Sequence, residues 1–244
     1  MNNNDFFTAN WNAPDNVGTL LTYRTGGVSG GVYASLNVGT HVNDNPHHVA
    51  ENRKRVQQHI PHPIVWLNQI HSANVVIAKD WKNKIADADA IIDKTGTVAC
   101  AVMTADCLPI LLCDKQGSVV AAVHGGWRSL LGGIIANTIN AMKSVPQDII
   151  AYLGVGIGKT AFEVGGEVRE LFIQSLPENQ NAFIYHQENK YFANIYQIAT
   201  NYLNQIGVSQ IFCEQRCTFN EKDKFFSYRR DGTTGRMVSA IWLK

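Results

Sequence analysis

The stretch "PILLCDKQGSVVAAV", residues 109–123, joins two apolar runs through one short polar turn. Both runs have a length typical of β-strands, and "DKQG" supplies the polar and glycine residues that turns favour. Strands joined so closely run antiparallel, because a parallel connection needs a crossover of about a dozen residues or more. The stretch therefore predicts an antiparallel or mixed sheet, and it favours an α+β fold over a doubly wound one.

Other apolar runs of strand length recur along the chain, with helical patterns between them. We expect strands at 64–70, 73–78, 97–105, 109–113, 118–123, 148–155, 209–213 and 236–243. We expect helices at 46–59, 129–143, 165–176 and 194–206. Asn45 and Pro46 begin the first helix, and Gly207 ends the last. No internal repeat or low-complexity tract interrupts the chain, so we expect one domain over 1–244.

Composition limits the classes of partner. The chain has 21 Lys and Arg against 20 Asp and Glu, a formal charge of +1, which argues against a nucleic-acid partner. Its N-terminus lacks the basic and apolar regions of a signal peptide, and its apolar runs fall short of the ~20 residues that a membrane span needs. We therefore expect a cytoplasmic protein with no membrane partner.

Three residues with metal-binding side chains stand at the ends of apolar runs. His71 closes "WLNQIH", Cys107 lies in "TADC", and His124 closes "VVAAVH". Each alone is most often structural, but two imidazoles and one thiolate form a ligand set for Zn²⁺ with a fourth position left open, and copper would also accept it. Their spacing matches no short zinc-finger pattern, so such a site would have to be assembled by tertiary folding.

Polar neighbours extend this candidate site. Asp106, beside the cysteine, could orient an imidazole, act as a general base, or serve as a turn acceptor. Arg128 in "HGGWR" could contact an anion. The stretch "FFSYRRDGTTGRM", residues 225–237, clusters Arg229, Arg230 and Arg236 with turn glycines, which indicates either a phosphate or carboxylate clamp or a solvated turn.

An ordered series of motifs covers nearly the whole chain: "GGVSGGVYASLNVGTHVNDNP" (26–46), "NRKRV" (52–56), "WLNQIHSANVV" (66–76), "DADAII" (87–92), "TADCLPILL" (104–112), "AAVHGGWRSLLGGII" (121–135), "FEVGGEV" (162–168) and "CTFNEKDKFFSYRRDGTTGRM" (217–237). The sequence resembles the YfiH family, the laccase-domain purine nucleoside phosphorylases formerly described as polyphenol oxidases. In that family, residues matching His71, Cys107 and His124 are the zinc ligands.

The resemblance implies a single domain with α/β/β/α layers. It also implies phosphate-dependent cleavage of adenosine, inosine and S-methyl-5′-thioadenosine to the free base and ribose 1-phosphate or its methylthio form, with adenosine deamination as a further activity. Phosphorolysis needs cations that hold phosphate. Our candidates are Arg24, Arg128 and Arg229, with Asn37 as a ribose contact, and we expect a monomer.

Two other functions use the same three residues. Cys107 could be a nucleophile activated by His124 or His71, in an amidase that acts on cell-wall precursors. The second alternative is a copper-dependent polyphenol oxidase, although two histidines and one cysteine fall short of the histidine-rich clusters that multicopper oxygen reduction requires. Metal occupancy distinguishes the zinc enzyme from the cysteine hydrolase.

Overall fold

The computed structural model describes residues 4–80 and 85–244, which form fourteen strands and six α-helices. The strands are β1 (Phe6–Phe7), β2 (Val17–Thr22), β3 (Ile64–Val65), β4 (Val75–Ile77), β5 (Ala90–Asp93), β6 (Ala99–Thr104), β7 (Leu108–Asp114), β8 (Val120–Gly125), β9 (Ile149–Leu153), β10 (Glu163–Gly165), β11 (Phe183–Gln187), β12 (Lys190–Ala193), β13 (Gln210–Cys213) and β14 (Met237–Leu243). The helices are α1 (Pro46–Gln57), α2 (Trp127–Leu131), α3 (Ile134–Met142), α4 (Gly166–Ser175), α5 (Ile195–Ile206) and α6 (Tyr228–Asp231).

The hairpin predicted at 109–123 lies at the centre of the largest sheet. That sheet has the strand order β13-β9-β7-β8-β5-β4, a second has the order β1-β2-β14-β6-β3, and β10-β12-β11 form a small third sheet. Strand β7 pairs antiparallel with β8 and β9, whereas β4 pairs parallel with β5. The expectation of antiparallel or mixed sheets is confirmed.

The two larger sheets pack face to face, with helices on their outer faces. Successive side chains of a strand point to opposite sides of its sheet, so β7 contributes to two cores. Ile110 and Leu112 pack in the core formed with α3 and α5. Leu111 lies in the core between the two sheets, together with Val102 of β6. Val56 of α1 packs on the other face of the five-stranded sheet. The α+β fold with α/β/β/α layers is therefore confirmed.

Two predicted elements differ from the structure. The helix expected at 129–143 is two helices, α2 and α3, because Gly133 takes a left-handed conformation with a φ of 84° and interrupts the helical path. The strand expected at 64–70 is only Ile64–Val65, and the rest of the segment leads towards the candidate site. In the described part of the chain, no helix has both the length and the apolar character to cross a bilayer.

Candidate metal centre and active site

The register of β7 and β8 brings Cys107 and His124 together. Pro109 pairs with His124, so the residue just before β7 lies beside the end of β8. His71 approaches from the loop that precedes β4, and its Nε2 lies 3.9 Å from the Cys107 Sγ. The three ligand atoms all lie within 4.8 Å of one another. The folding of strands far apart in the sequence therefore assembles the predicted trio.

The cluster is charged in the metal-free chain. Burial by itself would raise the pKa of the Cys107 thiol, but the imidazoles of His124 and His71 outweigh burial and lower it to about 6. Burial by itself would lower the pKa of His124, but Cys107 and Asp89 raise it to about 9. Around neutral pH the sulfur is thus a thiolate, the form that binds metals and attacks electrophiles.

Asp89 immediately precedes β5 and is fully buried behind the two histidines. Its Oδ1 lies 2.8 Å from the His124 Nδ1 and accepts a 3.0 Å hydrogen bond from the backbone N–H of His71. Burial by itself would raise the pKa of Asp89, but hydrogen bonds from His124 and Ser72 outweigh burial and lower it. An ionised carboxylate therefore supports the imidazole of His124 and the backbone of His71. The sequence analysis missed this residue, although it lies within the "DADAII" motif.

Asp106 uses both of its carboxylate oxygens in contacts other than with the histidines of the cluster. Its Oδ1 accepts a 2.5 Å hydrogen bond from Thr218 Oγ1, and its Oδ2 accepts a 2.6 Å bond from the backbone N–H of Arg229. Among the described residues it bonds to neither imidazole, so the orienting role belongs to Asp89. Asp106 does line the cavity next to Cys107, where a role in proton transfer remains a prediction.

Two residues of the site have left-handed backbones that are unusual for side-chain-bearing residues. His71 has a φ of 58° and Asp106 a φ of 95°. Such conformations cost roughly 1–3 kcal/mol each and persist where surrounding contacts enforce them. The structure supplies these contacts, since the Asp89 carboxylate bonds the His71 amide and the Asp106 carboxylate is bonded on both oxygens. The backbone is held in the form that presents these side chains to the cavity.

The space among the three side chains suits a metal ion. A Cβ at Gly126 would lie 2.8 Å from the His71 Cδ2, 3.3 Å from the His124 Cε1 and 3.4 Å from the Cys107 Sγ. Only glycine therefore leaves this space free. His124 is buried, Cys107 is half-buried and His71 is exposed, so one side of the cluster opens outward. Three nitrogen and sulfur donors with an open side match the arrangement of catalytic zinc sites.

The open side faces a cavity of about 540 Å³. Small-molecule sites commonly have volumes of roughly 300–1,000 Å³ and combine apolar walls with a few polar groups. Trp127, Phe162, Ile157, Ile195 and Tyr228 supply the apolar and aromatic lining. The cavity is thus suited to a flat, partly apolar ligand that reaches the metal-binding cluster.

Two of the predicted substrate contacts, Arg24 and Asn37, are not among the residues that line this cavity. Arg24 donates hydrogen bonds to the carbonyl oxygens of Ala34 and Lys222, and its guanidinium braces two loops. Asn37 is fully buried, and its side-chain oxygen accepts from the backbone N–H groups of Gly39 and Arg236. Neither side chain lines the cavity, because their polar groups hold the surrounding loops together.

Arg128 and Arg229 do line the cavity, and Arg236 and His41 join them. Arg128 lies 4.3 Å over the Trp127 ring, and its guanidinium makes no hydrogen bond within the described residues. Arg229 donates from Nη1 to a carbonyl oxygen of Glu163 at 2.9 Å. His41 was not predicted as a site residue. The only indication in the sequence was that it lies in the first of the motifs shared with the YfiH family, residues 26–46.

Arg236 is the half-buried member of this cationic group. Its Nη1 donates to two backbone carbonyl oxygens, and no carboxylate pairs with it among the described residues. Burial lowers its pKa, while the negative charges of Cys107 and Asp106 oppose that effect. A partly buried guanidinium without a carboxylate partner is well suited to an anionic ligand.

A His–Cys–His cluster that opens into a cavity with aromatic and arginine side chains, on α/β/β/α layers, is typical of an enzyme that acts on a small molecule. Residues 18–244 match the family described as multi-copper polyphenol oxidoreductase laccase, and the chain belongs to this family.

Relatives support this assignment in sequence and in structure. The "Purine nucleoside phosphorylase YfiH" of Escherichia coli is 48% identical over 235 residues, which cover 96% of each chain. The "Purine nucleoside phosphorylase" of Haemophilus influenzae is 44% identical over 239 residues, covering 96% of this chain and 98% of the relative. A solved Neisseria meningitidis protein of the DUF152 family is 53% identical, with a TM-score of 0.97 over 98% of this chain and 99% of that one. The resemblance to the YfiH family is confirmed.

Proposed function

We propose that this chain is a zinc-dependent purine nucleoside phosphorylase that cleaves adenosine, inosine and S-methyl-5′-thioadenosine. The observation that carries the proposal is the cluster of His71, Cys107 and His124, which opens into a 540 Å³ cavity lined by aromatic and cationic side chains. The purine nucleoside phosphorylases among the relatives support the same substrate class. The products are the free base and ribose 1-phosphate, or methylthioribose 1-phosphate.

Zinc is the metal that the donors fit best. Two imidazoles and one thiolate would hold zinc and leave a fourth position for water or substrate. Zinc held by these side chains would supply Lewis-acid chemistry. Copper would accept the same donors, but no histidine-rich cluster accompanies them within the described residues. Adenosine deamination, which consumes water and releases ammonia, is part of the proposal because it needs the same open position.

The residues of the chain have distinct tasks in phosphorolysis. A phosphate oxygen bonds to the ribose C1′ as the bond from C1′ to the purine nitrogen breaks, and the departing purine takes up a proton. Aromatic walls such as Trp127 and Phe162 suit the flat purine, since stacking on a ring stabilises a base in an apolar pocket. Asp106 lines the cavity beside the cluster and is our candidate for moving the proton.

Phosphate is best matched by Arg236, with Arg128 and Arg229 as further contacts. Arg236 lies close enough to Cys107 and Asp106 for their charges to affect its pKa, and among the described residues no carboxylate forms an ion pair with it. His41 lines the same cavity, where burial and the charge of Arg236 lower its pKa, so it would contact phosphate as a neutral hydrogen-bond donor. We therefore expect the phosphate beside Arg236 and the purine against the aromatic walls.

Product analysis with and without phosphate tests the proposal. The enzyme, purified without added metal, is incubated with inosine or adenosine in phosphate and in phosphate-free buffer, and its zinc content is measured. Ribose 1-phosphate that forms only with phosphate supports phosphorolysis, whereas inosine formed from adenosine in either buffer reports deamination. Free ribose without ribose 1-phosphate would contradict the proposal and indicate hydrolysis.

One observation favours a second candidate, a cysteine hydrolase. Asp89, His124 and Cys107 are arranged as in a cysteine–histidine–acid triad, and the pKa of the thiol is lowered to about 6. A nucleophilic Cys107 would survive treatment with chelators and would be inactivated by iodoacetamide. A zinc-bound thiolate would instead resist iodoacetamide until the metal is removed. Activity that persists in metal-free protein and is lost on alkylation would favour the hydrolase.

A further inference from the structure

We propose that Asp89 is a positioning residue whose single buried carboxylate fixes both histidine ligands in the geometry that binds the metal. This inference rests on the proposed metal centre. It concerns how the ligands are held before any metal or substrate arrives.

One oxygen of Asp89 contacts both ligand segments. Oδ1 lies 2.8 Å from the His124 Nδ1 and accepts from the backbone N–H of His71 at 3.0 Å. The backbone carbonyl of Asp89 also accepts from the backbone N–H of His124 at 2.7 Å. Because Nδ1 of His124 is engaged with a carboxylate, its neutral tautomer carries the proton there and leaves Nε2 as the ligand atom.

The other oxygen holds the backbone that presents His71. Oδ2 accepts from the backbone N–H of Ser72 at 2.6 Å and from its hydroxyl at 2.7 Å, and the Ile70 N–H approaches it at 3.4 Å. Three successive amides converge on one carboxylate because His71 has the left-handed φ of 58°. Such backbone arrangements form anion-binding concavities. The charge of Asp89 thus stabilises an otherwise costly conformation.

An amide cannot reproduce these contacts. An asparagine at this position has one acceptor oxygen, and its NH₂ group would face N–H donors on the other side. If the oxygen faced Ser72, the NH₂ would face the His124 Nδ1 and favour the tautomer that is protonated at Nε2. A protonated Nε2 has no lone pair with which to bind a metal. If the oxygen faced His71 and His124, the Ser72 amide would lose its acceptor. Either arrangement weakens the preformed site.

Asp93 offers a matched control on the same segment. It is equally buried, it lies at the other end of β5, and it caps a loop in the same manner. Its Oδ1 accepts from the Thr95 N–H and hydroxyl, and its Oδ2 accepts from the Gly96 N–H. It bonds to no imidazole within the described residues. Replacing either aspartate by asparagine therefore removes a buried carboxylate that caps a loop, but only one of them supports metal ligands.

The test is the affinity of the purified, metal-stripped protein for Zn²⁺, measured by competition with a chromophoric chelator and without nucleoside. Asp89→Asn should weaken zinc binding by roughly 10- to 100-fold, the usual effect of losing a carboxylate that supports a ligating histidine. Asp93→Asn should keep the wild-type affinity, although both variants should unfold at lower temperature. Equal affinities of the wild type and Asp89→Asn would overturn the inference.

A measurement on the wild type covers the case in which Asp89→Asn does not fold. Nitrogen-15 NMR of the zinc-loaded protein should show a slowly exchanging proton on the His124 Nδ1, and a proton on Nε2 instead would overturn the inference. Neither readout depends on turnover. A protein that binds zinc as predicted but produces no ribose 1-phosphate would contradict the proposed function and leave the role of Asp89 standing.

Discussion

Gly126 is the position where one added carbon tests the geometry of the candidate metal centre. Its φ of −67° and ψ of 151° are open to any residue, so a Gly126→Ala variant carries no backbone strain. The new methyl group would lie 2.8 Å from the His71 Cδ2, where ordinary contact begins at 3.4 Å. His71 would have to withdraw by that difference, which exceeds the ~0.2 Å tolerance of metal–ligand distances.

The cost of this displacement can be expressed as a change in affinity. Overpacking a tight site costs about 1–3 kcal/mol, which corresponds to zinc binding that is roughly 5- to 150-fold weaker. Chelator competition measures the change, and thermal unfolding of the metal-free variant checks that it folds. Gly132→Ala is the control, because its φ of −71° is equally ordinary and its new carbon would approach no metal ligand: its neighbours are the Arg128 carbonyl oxygen, the Ala73 Cβ and the Ser129 carbonyl oxygen, at 3.3, 3.4 and 3.6 Å. A folded Gly126→Ala protein that binds zinc as tightly as the wild type would refute the assigned geometry.

Three further predictions concern the same cavity. Cys107→Ser should lose its zinc and both phosphorolysis and deamination together, as metal analysis and product assays would show, whereas a serine variant that keeps the metal would indicate a nucleophile. Arg236→Ala should raise the Michaelis constant for phosphate at least roughly tenfold and affect deamination far less, while Arg24→Ala should leave both unchanged. Equal loss of both activities in Arg236→Ala would indicate a structural role. Between about pH 6 and pH 9 zinc affinity should rise by roughly tenfold per unit, because Cys107 is already a thiolate there while His124 must release its proton to bind metal, and a flat titration would contradict that protonation state.

The sequence predicted the three candidate metal ligands because they stand at the ends of apolar runs. The hairpin at 109–123 fixes an antiparallel pair, and its register places Cys107 next to His124. Side chains with metal-binding chemistry stand out at the ends of apolar strands, because burial would otherwise favour apolar residues there. His71 could be included because it also closes an apolar run.

The residues that surround the three candidate metal ligands could not be predicted from strand ends. Asp89 is 18 residues from His71 and 35 from His124, and no local pattern shows that its carboxylate turns towards them. The arginines likewise differ in tertiary context, since Arg24 follows one apolar strand and Arg236 precedes another, but Arg24 braces loops while Arg236 lines the cavity. The break between α2 and α3 was missed because a helical apolar pattern continues across Gly132 and Gly133.

In the proposed function, this chain uses zinc at His71, Cys107 and His124 to transfer the ribosyl group of a purine nucleoside to phosphate. The most direct test of that function is to strip the enzyme of metal, titrate it with Zn²⁺, and follow ribose 1-phosphate formed from inosine and phosphate. The rate should rise from near zero and level off at about one zinc per chain, with no ribose 1-phosphate formed when phosphate is omitted. A metal-free enzyme that forms ribose 1-phosphate at the full rate, or a zinc-saturated enzyme that forms none, would contradict the account.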